Sequence, residues 1–184
     1  MADFFKEKTI IFIVLISLIF RLFLSSTTIH ADTIAFSFAG KVVADGNVLD
    51  LYDYLYKLPV GDKILSIYPP NLFIYPPLPY FYFSLVNAFS NIFINDSFIM
   101  DVVYDYSKLL GNLNLNLSLL LFKIPYFIFD LGLAYLITTL VKDRKDKIYA
   151  FSFWLFNPVS LYSTYMMGQF DIIPTFLALL AHQK

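Results

Sequence analysis

The chain has 184 residues, of which 59% are hydrophobic and 15% charged, with a mean hydropathy of +0.68. Soluble domains are nearer half apolar and a quarter charged, so this composition argues against an ordinary soluble domain. A net charge of −1 gives no sign of a nucleic-acid partner, and the lack of cysteine rules out disulfides and thiolate metal sites.

The few charges sit in short stretches between long apolar runs, as expected of a chain that pays heavily for any charge at mid-bilayer. The first run covers residues 4–24 with its core at Thr9–Phe20, which Lys6 and Lys8 precede. Arg21 interrupts its far end and no clear small-x-small cleavage site follows, so it reads as an uncleaved span rather than a signal peptide. The two lysines place its N-terminus in the cytoplasm. Residues 25–75 are too polar to span. Within them, Ile34, Phe38 and Val42 recur every four residues and predict an amphipathic helix over 33–44, stopped at Gly46. Two proline clusters, Pro69-Pro70 and Pro76-Pro77-Leu78-Pro79, predict extended or turn geometry.

Residues 80–94 are apolar but fall short of the roughly twenty that a span requires. Residues 95–116 are polar and acidic. Spans are expected at 117–141 and 148–167, with a basic block, Lys142 to Lys147, between them. A polar turn, Gly168-Gln169-Phe170-Asp171, then leads to an apolar run from Ile172 that stops at the chain end, which suggests a sequence cut within a span. The short run at 80–94 decides the topology. If it spans, the basic block lies outside; if it rests at the outer interface, the block is cytoplasmic. Four basic residues in six positions favour the second arrangement, which also puts Gln169 and Asp171 on the side of the 25–75 loop.

Few polar residues stand out. Asp32, at the start of the predicted amphipathic helix, reads by position first as an N-cap; a general base held at the membrane surface is a second reading compatible with it. Arg21 either snorkels to the headgroups or pairs with a phosphate. Lys123 and Asp130 lie seven residues apart on one face of a span; Lys123 is near enough to its end to snorkel, whereas Asp130 is deeper and has either a structural partner or a cavity to face. Gln169 and Asp171 form a polar pair where a span emerges. His30 reads as a surface residue, and with His182 the only other histidine there is no His-rich metal site.

In order, the chain shows Phe20-Arg-Leu22 at the end of the first span, the acidic loop residue Asp32 followed by a helix and Gly46, Leu51-Tyr52, Tyr75-Pro-Pro-Leu-Pro-Tyr80, Lys123-Ile-Pro-Tyr-Phe-Ile-Phe-Asp130, Asn157-Pro158 and Gly168-Gln-Phe-Asp171. This set resembles the N-terminal part of the GT-C superfamily of polytopic glycosyltransferases, closest to prokaryotic members related to the mannosyltransferases of glycosylphosphatidylinositol assembly. The resemblance covers residues 20–181 and implies an all-α integral membrane fold, with a long first extracytoplasmic loop (25–116) carrying juxtamembrane helices. It implies transfer of a hexose, such as mannose, from a polyprenyl-phosphate-linked donor to a glycan, lipid or protein acceptor, at an extracytoplasmic site of a multi-pass protein of the cell membrane. Asp32 takes the position of the catalytic carboxylate. Arg21 and Lys123 would neutralise the leaving lipid phosphate, Gln169 and Asp171 would bind sugar or acceptor hydroxyls, and Asp130 would orient Lys123 or brace a neighbouring helix. Some relatives carry a paired acidic motif, where this chain has a lone Asp32 between Ala31 and Thr33; no cofactor is firmly implied and a divalent metal is left open. Relatives have eight or more spans, so this stretch is expected to be part of a longer enzyme and inactive alone. A polytopic transporter and a non-catalytic assembly protein are the alternatives.

Overall fold

The computed structural model describes residues 7–183. Phe4, Phe5 and Lys6 of the expected first span, and Lys184, lie outside the described residues. Among the described residues the regular elements are all helical, with no strand. They are α1 (Lys8–Thr27), α2 (Ala31–Ala44), α3 (Pro77–Ser90), α4 (Asp96–Asp105), α5 (Leu113–Thr139), α6 (Arg144–Leu155), the short α7 (Pro158–Ser160) and α8 (Ile172–His182). Single 3₁₀ turns fall at Leu51–Asp53, Leu55–Lys57, Lys63–Ser66 and Tyr106–Leu109, and a π-helical stretch, Leu161–Met166, continues α7. Helices α1 and α5 are long and apolar enough to cross a membrane. At 1.5 Å per residue they rise about 30 Å and about 40 Å, enough for the hydrocarbon core. These two helices point to a membrane protein.

The chain divides into two compact units, one of Met1–Thr28 with Lys123–Lys184 and one of Ile29–Phe122. In the first, Ile10 of α1, Ala134 of α5, and Phe151 and Leu155 of α6 form a buried apolar cluster, flanked by Ile13, Val14, Leu131, Ile148 and Trp154. The stretch 148–167, expected as one span, is built from two helical pieces. Pro158 has no N–H to continue α6 and holds Asn157 out of the helical region, at φ −65° and ψ 118°. The Asn157 Oδ1 then accepts from the N–H groups of Val159 and Ser160 and starts the second piece.

The second unit is an aromatic core around α2 and α3. Phe36 stacks on Phe83 with ring centroids 4.9 Å apart, and Phe38 packs against Tyr54, Tyr68 and Phe73. The predicted helix over 33–44 forms as α2 and ends as expected at Gly46, whose φ of 97° suits only glycine. There the Asn47 N–H donates to Val42 O and the Gly46 N–H to Val43 O, which satisfies carbonyls the helix end leaves open. The proline cluster at 76–79 behaves differently from the prediction: Pro77 and Pro79 lie in the first turn of α3, where the missing N–H groups have no intrahelical acceptor to lose. The polar stretch 95–116 also holds a helix, α4, capped by Asn95 Oδ1, which accepts from the Ser97 N–H. Lys41 Nζ donates to Asp45 and Asp96 and so ties α2 to α4; its bond to Asp96 holds that carboxyl below the usual carboxylate range.

Candidate functional site

Asp32 lies in the first turn of α2, five residues past the end of α1. It is not the N-cap. His30 holds that position, its Nδ1 accepting from the Asp32 N–H at 3.2 Å. The imidazole therefore does the work expected of the carboxylate, from a side chain that is 36% exposed at the surface. The Asp32 side chain is 39% exposed, with Oδ2 at 3.6 Å from His30 Nδ1. It stands at a cleft of about 200 Å³ walled by Phe36, Phe73, Tyr75 and Tyr80. Two hydrogen bonds fix the proline-rich wall: the Tyr75 N–H donates to Tyr80 Oη at 3.0 Å, and Tyr52 Oη donates to Tyr75 O at 2.7 Å. Burial raises the Tyr80 phenol above its ordinary value, so it stays neutral. A carboxylate beside aromatic faces can accept a hydroxyl proton while the rings cover an apolar ring face of the same ligand.

The remaining site candidates fall in the other unit. Lys123 and Asp130 are fully buried on α5. Lys123 Nζ donates to Thr28 O and Tyr165 O at 2.8 Å each, and to Ser25 O at 3.4 Å. Three carbonyls thus meet the three N–H bonds of an ammonium, and two of them come from the C-terminal end of α1, the negative end of its dipole. Tyr165 O is open to this bond because it lies in the last turn of the π-helical stretch, and the Gln169 N–H beyond it donates to Ser163 O instead.

Asp130 does not orient Lys123. Its Oδ2 accepts from Arg21 Nε at 2.8 Å and from Tyr165 Oη at 2.6 Å, and its Oδ1 from Trp154 Nε1 at 2.7 Å. The Arg21 guanidinium also lies over the Tyr165 ring, 5.1 Å from its centroid. Arg21 is buried, so it does not snorkel; one of its groups, Nη2, has no partner among the described residues. Asp130 thereby braces α1 and α6, the second of the two roles open to it.

Gln169 and Asp171 follow the π-helical stretch. The Gln169 N–H donates to Ser163 O at 3.0 Å, and Asp171 precedes α8 without its side chain capping that helix. Asp171 is exposed at the edge of a polar recess that also contains Asn157 and Ser160. Arg21 and Lys123 thus meet around Tyr165, Gln169 and Asp171 lie a few residues further along the same unit, and Asp32 belongs to the other unit. Tyr165, Trp154 and the aromatic walls of the cleft were not among the sequence candidates. Their only signal in the sequence is the clustering of aromatics near Tyr75-Pro-Pro and near Asn157-Pro158. Among the described residues, no group of three or more His, Asp or Glu side chains comes together to hold a metal ion. No protein-family model, curated protein or solved structure matches the chain.

Proposed function

We propose that the chain is part of a membrane glycosyltransferase that uses a polyprenyl-phosphate-linked sugar at the extracytoplasmic surface. One observation carries the reading: a partly exposed carboxylate, Asp32, sits at the mouth of an aromatic-walled cleft five residues past a membrane-length helix. In this mechanism an acceptor hydroxyl hydrogen-bonds to Asp32. As it attacks the anomeric carbon of the donor it gives its proton to the carboxylate, and the sugar–phosphate bond breaks with both electrons on the lipid phosphate. That leaving group is anionic and must be met by cationic or N–H donors; Arg21, buried on Asp130, is not free to do so. Lys123 is spoken for by three carbonyls, so its part is to fix the backbone near Arg21 rather than to touch phosphate.

Helix α3 supports an interfacial placement. Tyr80, Phe83, Val86 and Asn87 face its own unit, whereas Leu78, Phe81, Leu85 and Phe89 form an exposed apolar stripe at spacings of three and four. The transporter alternative has less behind it, because Lys123 and Asp130 are engaged by protein groups rather than lining a pathway.

The test is hexose transfer from a radiolabelled polyprenyl-phosphate donor, by membranes carrying the product of the gene that encodes this chain. Asp32→Asn should lower turnover by about 10²-fold or more, the range for a lost general base, while leaving expression unchanged. Near-normal turnover in that variant refutes the base assignment.

A further inference from the structure

Helices α5 and α8 run side by side, and an apolar groove of about 600 Å³ lies along them. Residue spacing explains its walls. Leu133, Ile137 and Leu140 recur at intervals of four and three, and so share one face at the end of α5. Thr175, Ala178, Leu179 and His182 do the same on α8. The two helices are pinned together at both ends of the groove. At one end the Phe176 ring covers Gly132, where a Cβ would stand 2.7 Å from Cε2 of that ring. Towards the other end Gln183 Nε2 donates to Leu136 O at 3.0 Å and to Thr139 Oγ1.

The ends of the groove differ in character. The inner end is closed and apolar. Leu133 is 2% exposed there, and Trp154 of α6 lies at the same level, its indole N–H held by Asp130 less than one turn before Leu133. The mouth lies at Leu140, 61% exposed, and His182. Lys142 follows two residues on, and the first turn of α6 carries Arg144, Lys145 and Lys147. Arg144 Nη2 meets Glu7 Oε1 at 2.7 Å, which brings the start of α1, with Lys8, to this end as well. Five basic side chains thus gather with three acidic ones, Glu7, Asp143 and Asp146. Lys142 and Lys145 are exposed and pair with no carboxylate among the described residues. Cations in the first turn of α6 also sit at the positive end of its dipole, which is unfavourable until an anion joins them.

Together these features select an occupant. Helix α5 is long and apolar enough to cross a membrane, so the groove runs into the hydrocarbon and the basic cluster stands at headgroup level. From Leu133 to Leu140 the groove follows α5 for about 10 Å, the upper part of an acyl chain. A soluble anion has no use for that apolar wall, and a zwitterionic lipid gains little from unpaired lysines. A lipid with net negative charge uses both.

We propose that the groove holds one acyl chain of an anionic diacyl phospholipid, whose phosphate rests on Lys142, Lys145 and the His182 N–H. This lipid is separate from any sugar donor. Its phosphate lies beyond the C-terminal end of α5, whereas Lys123 is in the N-terminal half of that helix, and neither Asp32 nor Arg21 lines the groove.

Trp154 is the one tryptophan in the chain and borders the groove, so its emission reports on the lipid there. The full chain is reconstituted in phosphatidylcholine vesicles that contain a fixed fraction of either brominated-chain phosphatidylglycerol or brominated-chain phosphatidylcholine. Bromine quenches an indole only on contact. Quenching should favour phosphatidylglycerol about twenty-fold in relative affinity, about five-fold for each of the two lysines. Lys142→Gln and Lys145→Gln, both at exposed positions, should each reduce the preference about five-fold. Ala178→Phe fills the groove without touching a charge and should lower quenching by the anionic lipid, with circular dichroism unchanged. Equal quenching by the two lipids overturns the proposal, as does a preference that survives both lysine changes. Undiminished quenching in Ala178→Phe removes the lipid from the groove. Displacement of the brominated lipid by a polyprenyl phosphate, at concentrations where unlabelled phosphatidylglycerol fails to displace it, gives the groove to a different lipid and also overturns the proposal.

Discussion

Arg21 and Asp130 are the most consequential pair of residues in the chain. Their side chains are 3% and 1% exposed, so both charges have been taken out of water. A buried pair of this kind adds little net stability relative to apolar residues of the same shape, but removing one partner strands the other charge at a cost of about 3–5 kcal/mol. Asp130→Asn and Arg21→Ala should therefore each lower the unfolding midpoint sharply, and the exchange Arg21→Asp with Asp130→Arg should recover part of the loss. A thermal-unfolding cycle in detergent measures this; strictly additive single and double changes would show that the two charges do not support each other. Each residue could be singled out beforehand, because an ionisable group in an apolar run is conspicuous. That they are partners could not, since 109 positions separate them. Lys123 teaches the same lesson. Its position near a helix end made snorkelling reasonable, yet the carbonyls at the end of α1 and at Tyr165 offered a closer set of acceptors.

Among the elements, α2 and α3 show the tightest fit. A Cβ built at Gly40 would stand 2.6 Å from the Phe83 carbonyl carbon and 2.8 Å from its oxygen, both backbone atoms that cannot swing aside. Asn87 Nδ2 donates to Ser37 O one turn away and fixes the same approach. Gly40→Ala should thus force the helices apart and cost about 1–3 kcal/mol, and Gly40→Val more. The readout is the unfolding midpoint of the chain in detergent; an unchanged midpoint for Gly40→Ala would mean that the helices do not pack this closely. The apolar repeat Ile34, Phe38, Val42 made α2 legible in the sequence, and Gly46 marked its end. Which residue caps its start was misjudged, because Asp and His can both accept from a helix N–H and only their backbone placement separates the cap from the first turn. The prolines before α3 were misjudged for a related reason: proline ends a helix from within but is well suited to begin one.

For the whole molecule, the question is which way the two membrane-length helices run. The basic block at 142–147 is expected in the cytoplasm and the 25–116 segment outside. The chain has no cysteine, so single cysteines can be introduced without a background. Val60 and Lys145 are both exposed. In intact cells, Val60→Cys should react with a membrane-impermeant maleimide, whereas Lys145→Cys should react only after permeabilisation. The reverse pattern would overturn the topology and, with it, the extracytoplasmic placement of Asp32.

Composition and periodicity settled the broad features: two of the three full-length apolar runs expected to span, helices rather than strands, and a handful of polar residues too costly to be accidental. Those are properties of residue type and spacing along the chain, and the solvent alone is enough to impose them. Tertiary packing decided the rest. It paired Arg21 with Asp130, closed three carbonyls around Lys123 and set Asp32 beside an aromatic cleft. Such contacts depend on which helix faces meet and how closely, and that geometry comes from distant parts of the chain filling the same space.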